Sequence, residues 1–413
     1  MAKYGCIGER LPHSFSKEIH EKIGEYDYEL IELTPAELQR FMEKADFSGI
    51  NVTIPYKQAV IPYLYEISPA AKKIGAVNTV VNRGGKLYGY NTDFGGMKAL
   101  IRKNKIETEG KKALILGTGG TAKTAAAVLR SLGAPNFKKV SRHPSDGEIS
   151  YDEAYSNYAD AELILNTTPV GMFPKTDSAP IDVENFPNLR SLVDVIYNPL
   201  KTRLVRNAEK AGVSAVGGLY MLVAQAVLAA EIFTEKPFGE DVIDSIYGDI
   251  LKSKLNLALI GMPGSGKTTV GEILACRMSR EFLDTDRLII EKIGMPITEY
   301  FEKFGEAAFR KIEAEVIKEV SKSGGRVIAT GGGAVLDPQN IDELKSNGRV
   351  FFLDRPLDKL VPTADRPLAN SAEVIKRRYE ERYSKYLGAA DEIIKMSESA
   401  DDNADLVMRR WNK

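Results

Sequence analysis

Cysteine, histidine and tryptophan are nearly missing from this sequence: two, three and one among 413 residues. Cys6 and Cys276 lie far apart and neither begins a C-x-x-C pair, which excludes a disulfide scaffold and a thiolate zinc site and suits a reducing compartment. Both are read as packing residues. His13, His20 and His143 lack metal-ligand spacing, so no metal is expected in the N-terminal half. A surplus of charge is missing too, since 56 basic against 57 acidic residues leave no bias toward polyanions, and nucleic acid is not an expected partner. No apolar stretch reaches the ~18 residues that a bilayer requires, and Met-Ala-Lys-Tyr-Gly-Cys-Ile-Gly at the start runs into a strand-like pattern. No membrane partner and a cytoplasmic location are therefore expected. Internal repeats and low-complexity tracts are absent as well.

What is present is an ordinary balance, 43% hydrophobic and 27% charged; at roughly 150 residues per domain the length suggests about three domains with full cores. Short apolar runs alternate with longer amphipathic stretches, the pattern of parallel sheets with crossover helices, so the fold class is α/β. Two runs, Ala113 to Leu116 before Gly117 and Leu257 to Ile260 before Gly261, are buried-type strands followed at once by glycines and a helical pattern. Each marks the opening strand of a nucleotide-binding unit. Ahead of the first, strands are expected near Tyr4 to Ile7, Tyr28 to Leu33, Gly49 to Thr53 and Thr79 to Asn82, with helices between, as a separate α/β lobe. Leu219 to Thr234 reads as a mostly buried helix and Glu240 to about Leu251 as another, with the turn Lys236-Pro237-Phe238-Gly239 between them. The boundary between the halves is expected at Ser253-Lys254, with the next strand from Leu255 and so a very short linker.

Gly261-Met-Pro-Gly-Ser-Gly-Lys-Thr268 fits G-x-x-x-x-G-K-[ST] in full, between a strand and a helix. Its glycines let the backbone fold around phosphate oxygens so that N–H groups and the helix N-terminus face the anion. Lys267 would reach the β and γ phosphates and Thr268 would bind Mg²⁺. A nucleoside triphosphate is implied; its acceptor is not. In Phe282-Leu-Asp-Thr-Asp286 two carboxylates end a strand-like run, so both are expected on one strand face, one for the magnesium shell and one to orient a hydroxyl nucleophile. Such pairs are more often solvated surface. Phe309-Arg-Lys-Ile-Glu313 sets one arginine beside apolar residues, and Val327-Ile-Ala-Thr-Gly-Gly-Gly-Ala334 ends a buried strand in three glycines, which serve close backbone approach to a ligand.

With an R-P-L element and a closing R-x-x-x-Y, the segment from about Leu255 to Lys413 resembles shikimate kinase, a small relative of the nucleoside monophosphate kinases. The resemblance implies that Gly264, Ser265, Gly266, Lys267, Thr268 and Thr269 hold ATP, and that Asp284 supports the magnesium shell with Thr268. It also implies that Asp286 contacts the shikimate hydroxyl and assists its deprotonation. Arg310, Gly331, Gly332, Gly333 and Arg382 would hold the shikimate carboxylate and ring hydroxyls, and Arg366 would cross from a lid to the transferring phosphate. Arginine forks suit both anions. The lid stretch, Asp354 to Asp365, is several residues shorter than the family pattern and lacks its adenine-stacking arginine. Either Lys359 substitutes or the adenine contacts come from elsewhere.

Gly117-Thr-Gly-Gly-Thr-Ala122 follows Ala113-Leu-Ile-Leu, opens the apolar helix Ala122 to Leu132 and meets G-x-G-x-x-[GA]. The next strand ends in Lys138-Lys-Val-Ser-Arg142, with Ser141-Arg142 where an NAD enzyme would show an acid, which favours a 2′-phosphate and so NADP(H). Hydride transfer to a carbonyl also requires a proton donor. Asn51-Val-Thr-Ile-Pro-Tyr-Lys57 ends a strand with polar residues, and Asn91-Thr-Asp-Phe-Gly-Gly96 places a carboxylate at a turn before a helix. Taken alone, Lys57 reads as a surface lysine.

In sequence order, Gly8 to Ser16, the N-V-T-I-P-Y-K run, Ala76-Val-Asn-Thr79, N-T-D-F-G-G, Asn166-Thr-Thr-Pro-Val-Gly171, Asp194-Val-Ile-Tyr-Asn-Pro199 and Leu222-Val-Ala-Gln-Ala226 resemble shikimate dehydrogenase along residues 1 to about 250. The resemblance implies a catalytic pair of Lys57 and Asp93, with Ser14, Ser16, Thr53, Asn78, Asp93, Tyr197 and Gln225 binding the substrate. NADP(H) would be held by Gly117, Thr118, Gly119, Gly120, Thr121, Ser141 and Arg142, with Val195 and Gly218 bordering the nicotinamide. Arg10 and Lys17 stand where the family pattern has prolines. The domains implied are a substrate-binding lobe of 1–100 plus about 228–252, a Rossmann domain of 101–227 and a phosphate-loop kinase domain of 254–413. Together the halves imply reduction of 3-dehydroshikimate to shikimate and its ATP-dependent phosphorylation to shikimate 3-phosphate. The first product is the second substrate. Two alternatives stay open at this point: a quinate/shikimate dehydrogenase, and a C-terminal half that only binds nucleotide and regulates the first. Oligomeric state is open also, a homodimer among the options.

Overall fold

The computed structural model describes residues 3–11, 14–360 and 372–412. It divides into two compact units, Met1–Leu251 and Lys252–Lys413. His13 and Arg366 lie outside the described residues, as does the lid stretch beyond Leu360.

The first unit holds two six-stranded sheets. One is formed by β1 (Tyr4–Gly8), β2 (Tyr28–Glu32), β3 (Gly49–Val52), β4 (Glu66–Ile67), β5 (Thr79–Arg83) and β6 (Lys86–Tyr90), in the order β2-β1-β3-β5-β6-β4. β1 pairs in parallel with β2 and β3, whereas β5 runs antiparallel to both β3 and β6. The β5–β6 hairpin turns on Gly84 and Gly85, both at positive φ (61° and 83°). That is the two-residue connection whose twist matches its strands. β4 and β6 were not among the expected strands; β4 has two residues, and the alternation of β6 is diluted by Gly89.

The second sheet contains β7 (Ala113–Leu116), β8 (Phe137–Val140), β9 (Glu148–Ile149), β10 (Leu163–Asn166), β11 (Ser191–Asp194) and β12 (Ser214–Val216), all parallel, in the order β12-β11-β10-β7-β8-β9. Every residue of β7, β10 and β11 is buried, as strands covered on both faces must be. The strand order reverses between β7 and β10, which opens a crevice at their carboxyl ends.

Helix Leu219–Thr234 is apolar almost all round and packs on helices Thr92–Lys103 and Ser16–Ile23 of the first sheet's lobe. A Cβ on Gly96 would stand 2.7 Å from the main-chain oxygen of Met221, so the first two helices touch backbone to backbone. The border expected at 227/228 thus falls inside one unbroken helix, and the chain returns to the first lobe before Leu219. Helix Glu240–Lys254 likewise runs through the expected boundary at Ser253-Lys254. Nothing in Leu-Lys-Ser-Lys breaks a helix, and its lysines suit the negative end of the helix dipole.

The second unit carries one parallel sheet of β13 (Asn256–Ile260), β14 (Phe282–Asp284), β15 (Val327–Ala329), β16 (Gly348–Asp354) and β17 (Glu392–Lys395), in the order β14-β15-β13-β16-β17. Helices Lys267–Met278 and Ala400–Trp411 pack together, and helix Ile297–Ser321 bends at Gly305 (φ 80°). Cys6 is buried as expected, but Cys276 is exposed. It falls late in helix Lys267–Met278, whose outer face meets water.

Candidate active sites

The loop leaving β3 carries Thr53 and Lys57, and helix Thr92–Lys103 opens with Asp93 in its first turn. The Asn91 side chain accepts the Phe94 N–H at 3.1 Å, which caps this helix and sets the carboxylate at its positive end. Lys57 Nζ donates to Asp93 Oδ2 at 2.6 Å, and the two side chains are only 17% and 9% exposed. Asp93 Oδ1 accepts from Asn78 Nδ2 at 3.0 Å, while Asn78 Oδ1 accepts the Thr92 N–H at 2.7 Å. Gln225, on helix Leu219–Thr234, brings Oε1 to 3.4 Å from Asn78 Nδ2. Ser14 Oγ accepts the Ser16 N–H at 3.3 Å at the start of helix Ser16–Ile23, and the Thr53 N–H donates to the Ile7 carbonyl at 3.0 Å. Tyr197, past β11, lies 5.2 Å from the Phe15 ring, and burial pushes its phenol up to about 12, so it stays a donor. A sheltered amine held by a carboxylate can deliver or take a proton beside a small polar ligand.

At the crevice between β7 and β10, Gly117 has φ 104°, and a Cβ there would come within 2.9 Å of Thr167 Oγ1. Glycine is required on both counts. Gly119 caps helix Gly120–Ser131, and a Cβ on it would meet nothing within 4 Å. Thr118 and Thr121 are half-buried beside this open cradle at a helix N-terminus, which fits a pyrophosphate. Ser141 and Arg142 follow β8 directly, and Arg142 is exposed at that end of the sheet. A Cβ on Gly218 would lie 2.1 Å from the Val195 carbonyl oxygen, while the Gly218 N–H donates to the Ile196 carbonyl at 2.8 Å. Beneath them Asp194 is fully buried and accepts from Thr202 Oγ1 (2.6 Å), Asn166 Nδ2 (3.0 Å) and the Ile196 N–H (3.1 Å). Burial pushes its carboxyl up to about 6 despite these donors.

In the second unit a cavity of about 250 Å³ is lined by Gly264, Gly266, Lys267, Thr268 and Thr269 of the phosphate loop together with Asp284, Asp286, Thr330 and Gly332, whereas Ser265 is fully buried and does not line it. The loop turns on positive φ at Gly261, Gly264 and Gly266 (153°, 80° and 91°). Lys267 Nζ, on a buried side chain, donates to the Gly261 and Met262 carbonyls, both at 2.9 Å. Thr268 Oγ1 donates to Asp284 Oδ2 at 2.7 Å, an oxygen pair of the kind that a magnesium ion takes. Asp284 Oδ1 accepts the Asp286 N–H at 3.0 Å, which caps helix Thr285–Ile293. The two carboxylates therefore do not share a strand face as expected: Asp284 ends β14 and Asp286 sits in the first helical turn. Both still line the cavity.

The glycine triplet owes nothing to positive φ, which none of its members has. A Cβ on Gly331 would stand 2.6 Å from Asp286 Oδ1 and 3.2 Å from Glu313 Oε1; on Gly332, 2.7 Å from Pro263 Cδ; on Gly333, 2.1 Å from Arg310 Nη1. Each missing side chain makes room for a different wall of the pocket. Arg310 Nη1 donates to Glu313 Oε2 at 2.7 Å, and Arg382 Nη1 donates to the Gly332 carbonyl at 3.1 Å. Glu313 is 1% exposed. Burial pushes its carboxyl up, the Arg310 guanidinium opposes this, and Asp286 adds to the upward shift.

Residues 263–411 match the family described as shikimate kinase, and residues 6–80 match the shikimate dehydrogenase substrate binding domain. Shikimate dehydrogenase (NADP(+)) of Clostridium beijerinckii is 38% identical over 262 residues, which span 60% of this chain and 97% of that protein. The chain belongs to the shikimate dehydrogenase family, with a shikimate kinase fused behind it. Among solved structures, a chorismate mutase/shikimate 5-dehydrogenase fusion protein from Clostridium acetobutylicum is 38% identical with a TM-score of 0.57, covering 60% of this chain and 97% of that one. Shikimate 5-dehydrogenase from Thermus thermophilus, solved in complex with NADP(H) and shikimate, is 30% identical with a TM-score of 0.55, covering 60% and 99%. The protein is thus a bifunctional shikimate-pathway enzyme.

Within the dehydrogenase, Lys57, Asp93, Asn78 and Gln225 meet in one hydrogen-bonded group, although 168 positions separate Lys57 from Gln225 (225 − 57). Ser14, Ser16, Thr53 and Tyr197 are joined to that group by no hydrogen bond recorded among the described residues. Within the kinase, Gly264, Lys267, Thr268, Thr269, Asp284, Asp286 and Gly332 line one cavity, with Arg310 and Arg382 bonded behind it. Sequence reasoning passed over Glu313, Asp194 and the buried set Tyr28, Asn51, Thr79 and Thr92. A polar residue inside an apolar run was the available signal for Asn51 and Thr79.

Proposed function

We propose that the first unit reduces the C3 carbonyl of 3-dehydroshikimate and that the second phosphorylates the 3-hydroxyl of the resulting shikimate. The part-buried Lys57–Asp93 contact at 2.6 Å carries the first assignment. Lys57, as the ammonium, gives its proton to the alkoxide developing at C3, and Asp93 keeps it aimed there. Asn78 holds Asp93 in turn, while Ser14, Ser16, Thr53, Tyr197 and Gln225 bind the carboxylate and hydroxyls. NADP(H), seated on Gly117, Thr118, Gly119, Gly120 and Thr121 with its 2′-phosphate at Ser141 and Arg142, supplies the hydride when bound. Val195 and Gly218 border its nicotinamide. The substrate lobe comprises 3–103 and 219–251, and the dinucleotide domain the chain between them.

In the kinase, Gly264 to Thr269 receive the ATP phosphates and Asp286 orients the shikimate hydroxyl and takes up its proton. Arg310, Arg382 and the triplet Gly331 to Gly333 grip the acid, with Glu313 holding Arg310 in place. Magnesium, held by Thr268 and Asp284, neutralises phosphate charge when bound. Purified protein given 3-dehydroshikimate, NADPH and ATP should release shikimate 3-phosphate. Lys57→Ala should abolish only the redox step and Lys267→Ala only the phosphorylation. If both variants lost both steps, or neither lost either, the assignment would fail.

A further inference from the structure

Behind the Lys57–Asp93 pair lies a run of buried polar side chains for which the scheme above has no task. Tyr28 on β2 is 2% exposed, Asn51 on β3 6% and Thr79 on β5 0%. Polar groups buried to this degree are destabilising unless fully bonded. Each of these is hydrogen-bonded to the next. Asn51 Nδ2 donates to the main-chain carbonyl of Asn78 at 3.4 Å and to Thr79 Oγ1 at 3.2 Å. A carbonyl can only accept, so the Asn51 amide is held from turning over and its Oδ1 faces Tyr28, whose hydroxyl donates at 2.6 Å. The Thr79 hydroxyl, having accepted from Asn51, has two partners for its own hydrogen, Thr92 Oγ1 at 3.1 Å and Asn78 Oδ1 at 3.2 Å. With the Thr92 N–H on the same oxygen, Asn78 is left with Nδ2 toward Asp93.

We propose that Tyr28, Asn51 and Thr79 form a line of positioning residues that orients Asn78 and, through it, the carboxylate of Asp93. The inference rests on the reading of Lys57 and Asp93 as the catalytic pair. A donor at Asp93 Oδ1 fixes the plane of the carboxylate, and with it the Lys57 amine bonded to Oδ2. Loosening the line lets Asn78 turn away from Asp93, so the amine is less well aimed and turnover slows, while the KM for NADPH, which no member of the line touches, stays as it is.

The test uses the full chain with Tyr28→Phe, Thr79→Val, the control Tyr26→Phe, and Lys57→Ala. Tyr26 belongs to the same aromatic cluster but bonds His20 Nδ1 at 2.7 Å instead of the line. Losing one buried hydrogen bond should lower the dehydrogenase kcat roughly fivefold in Tyr28→Phe and in Thr79→Val, with the KM for NADPH unchanged in both. Tyr26→Phe should leave kcat alone, and an unchanged KM for NADPH in Tyr28→Phe, Thr79→Val and Tyr26→Phe reports a folded first unit. If Tyr28→Phe does not fold, Thr79→Val carries the test. Should Lys57→Ala still reduce 3-dehydroshikimate, the catalytic pair itself is wrong. With Lys57→Ala inactive, wild-type kcat in Tyr28→Phe and Thr79→Val overturns the line, as does a fall that Tyr26→Phe reproduces or one that comes with a raised KM for NADPH.

Discussion

Gly333→Ala isolates one wall of the kinase pocket. Gly333 has φ −94° and ψ −8°, which any residue adopts, so the substitution adds a methyl group without backbone strain. That methyl carbon would stand 2.1 Å from Arg310 Nη1, 2.6 Å from Nη2 and 2.7 Å from Cζ. Unstrained contact needs about 3.5 Å, so the guanidinium must retreat by roughly 1 Å or more. It can do so cheaply, being the far end of a flexible side chain tethered to Glu313 and Glu306 at 2.7 and 2.9 Å. The fold should survive while the anchor for shikimate moves. A displacement of this size costs on the order of 100-fold where alignment matters, so kcat/KM for shikimate should fall by that order, mainly through KM. The KM for ATP should not change. Gly332→Ala provides the contrast, because its methyl would press on Pro263 at 2.7 Å from Cδ and 3.1 Å from the main-chain nitrogen, at the phosphate loop. Steady-state kinase assays varying each substrate separate the two. A Gly333→Ala enzyme with wild-type KM for shikimate, or with equal rises for both substrates, would refute the reasoning.

Asp194 provides a pH test: its carboxyl is at about 6 in the folded chain against 3.8 ordinarily, so the folded state holds the proton more tightly and stability falls as pH rises through that interval. Two units amount to about 3 kcal/mol, so the stability of Asp194→Asn relative to wild type should rise between acid and neutral pH; a flat difference in chemical denaturation would count against it. Gly218→Ala should destabilise the dehydrogenase by ~1–3 kcal/mol and weaken NADPH binding, since its methyl would meet the rigid Val195 carbonyl at 2.1 Å, and thermal unfolding with a KM titration checks both. Arg142→Ala should raise the KM for NADPH roughly tenfold through loss of one charge-assisted hydrogen bond while leaving NADH use unchanged; equal changes for both cofactors would remove Arg142 from the 2′-phosphate.

Some of this is legible in the sequence. A buried strand, a glycine-rich turn and an apolar helix are local patterns, which is why Ala113 to Leu116 and the phosphate loop stood out and took the expected form. The helix Leu219–Thr234 was readable for the same reason. Short pieces in the first sheet were not, because β4 has two residues and its strand character comes from pairing with β6. The exposure of Cys276 depends on which helix face meets a neighbour, a tertiary matter. The Asp284–Asp286 spacing misled because the strand ends two residues sooner than assumed, and Asp284 turns into a helix cap. Gly331 to Gly333 were recognised as a place of close approach, but that Asp286, Pro263 and Arg310 do the approaching follows only from the assembled fold.

The chain crosses between the two sheets of the dehydrogenase twice, after Lys103 and before Leu219, and the helices at the two crossings are the pair in backbone contact at Gly96. Asp93 rides on one and Gln225 on the other. If the cleft breathes, these two side chains travel together as one stiff block, and the pivots fall in the connecting stretches, roughly 104–112 and 217–218. Opening then carries the second sheet, and Tyr197 with it, away from the group formed by Lys57, Asp93, Asn78 and Gln225, which can stay assembled throughout.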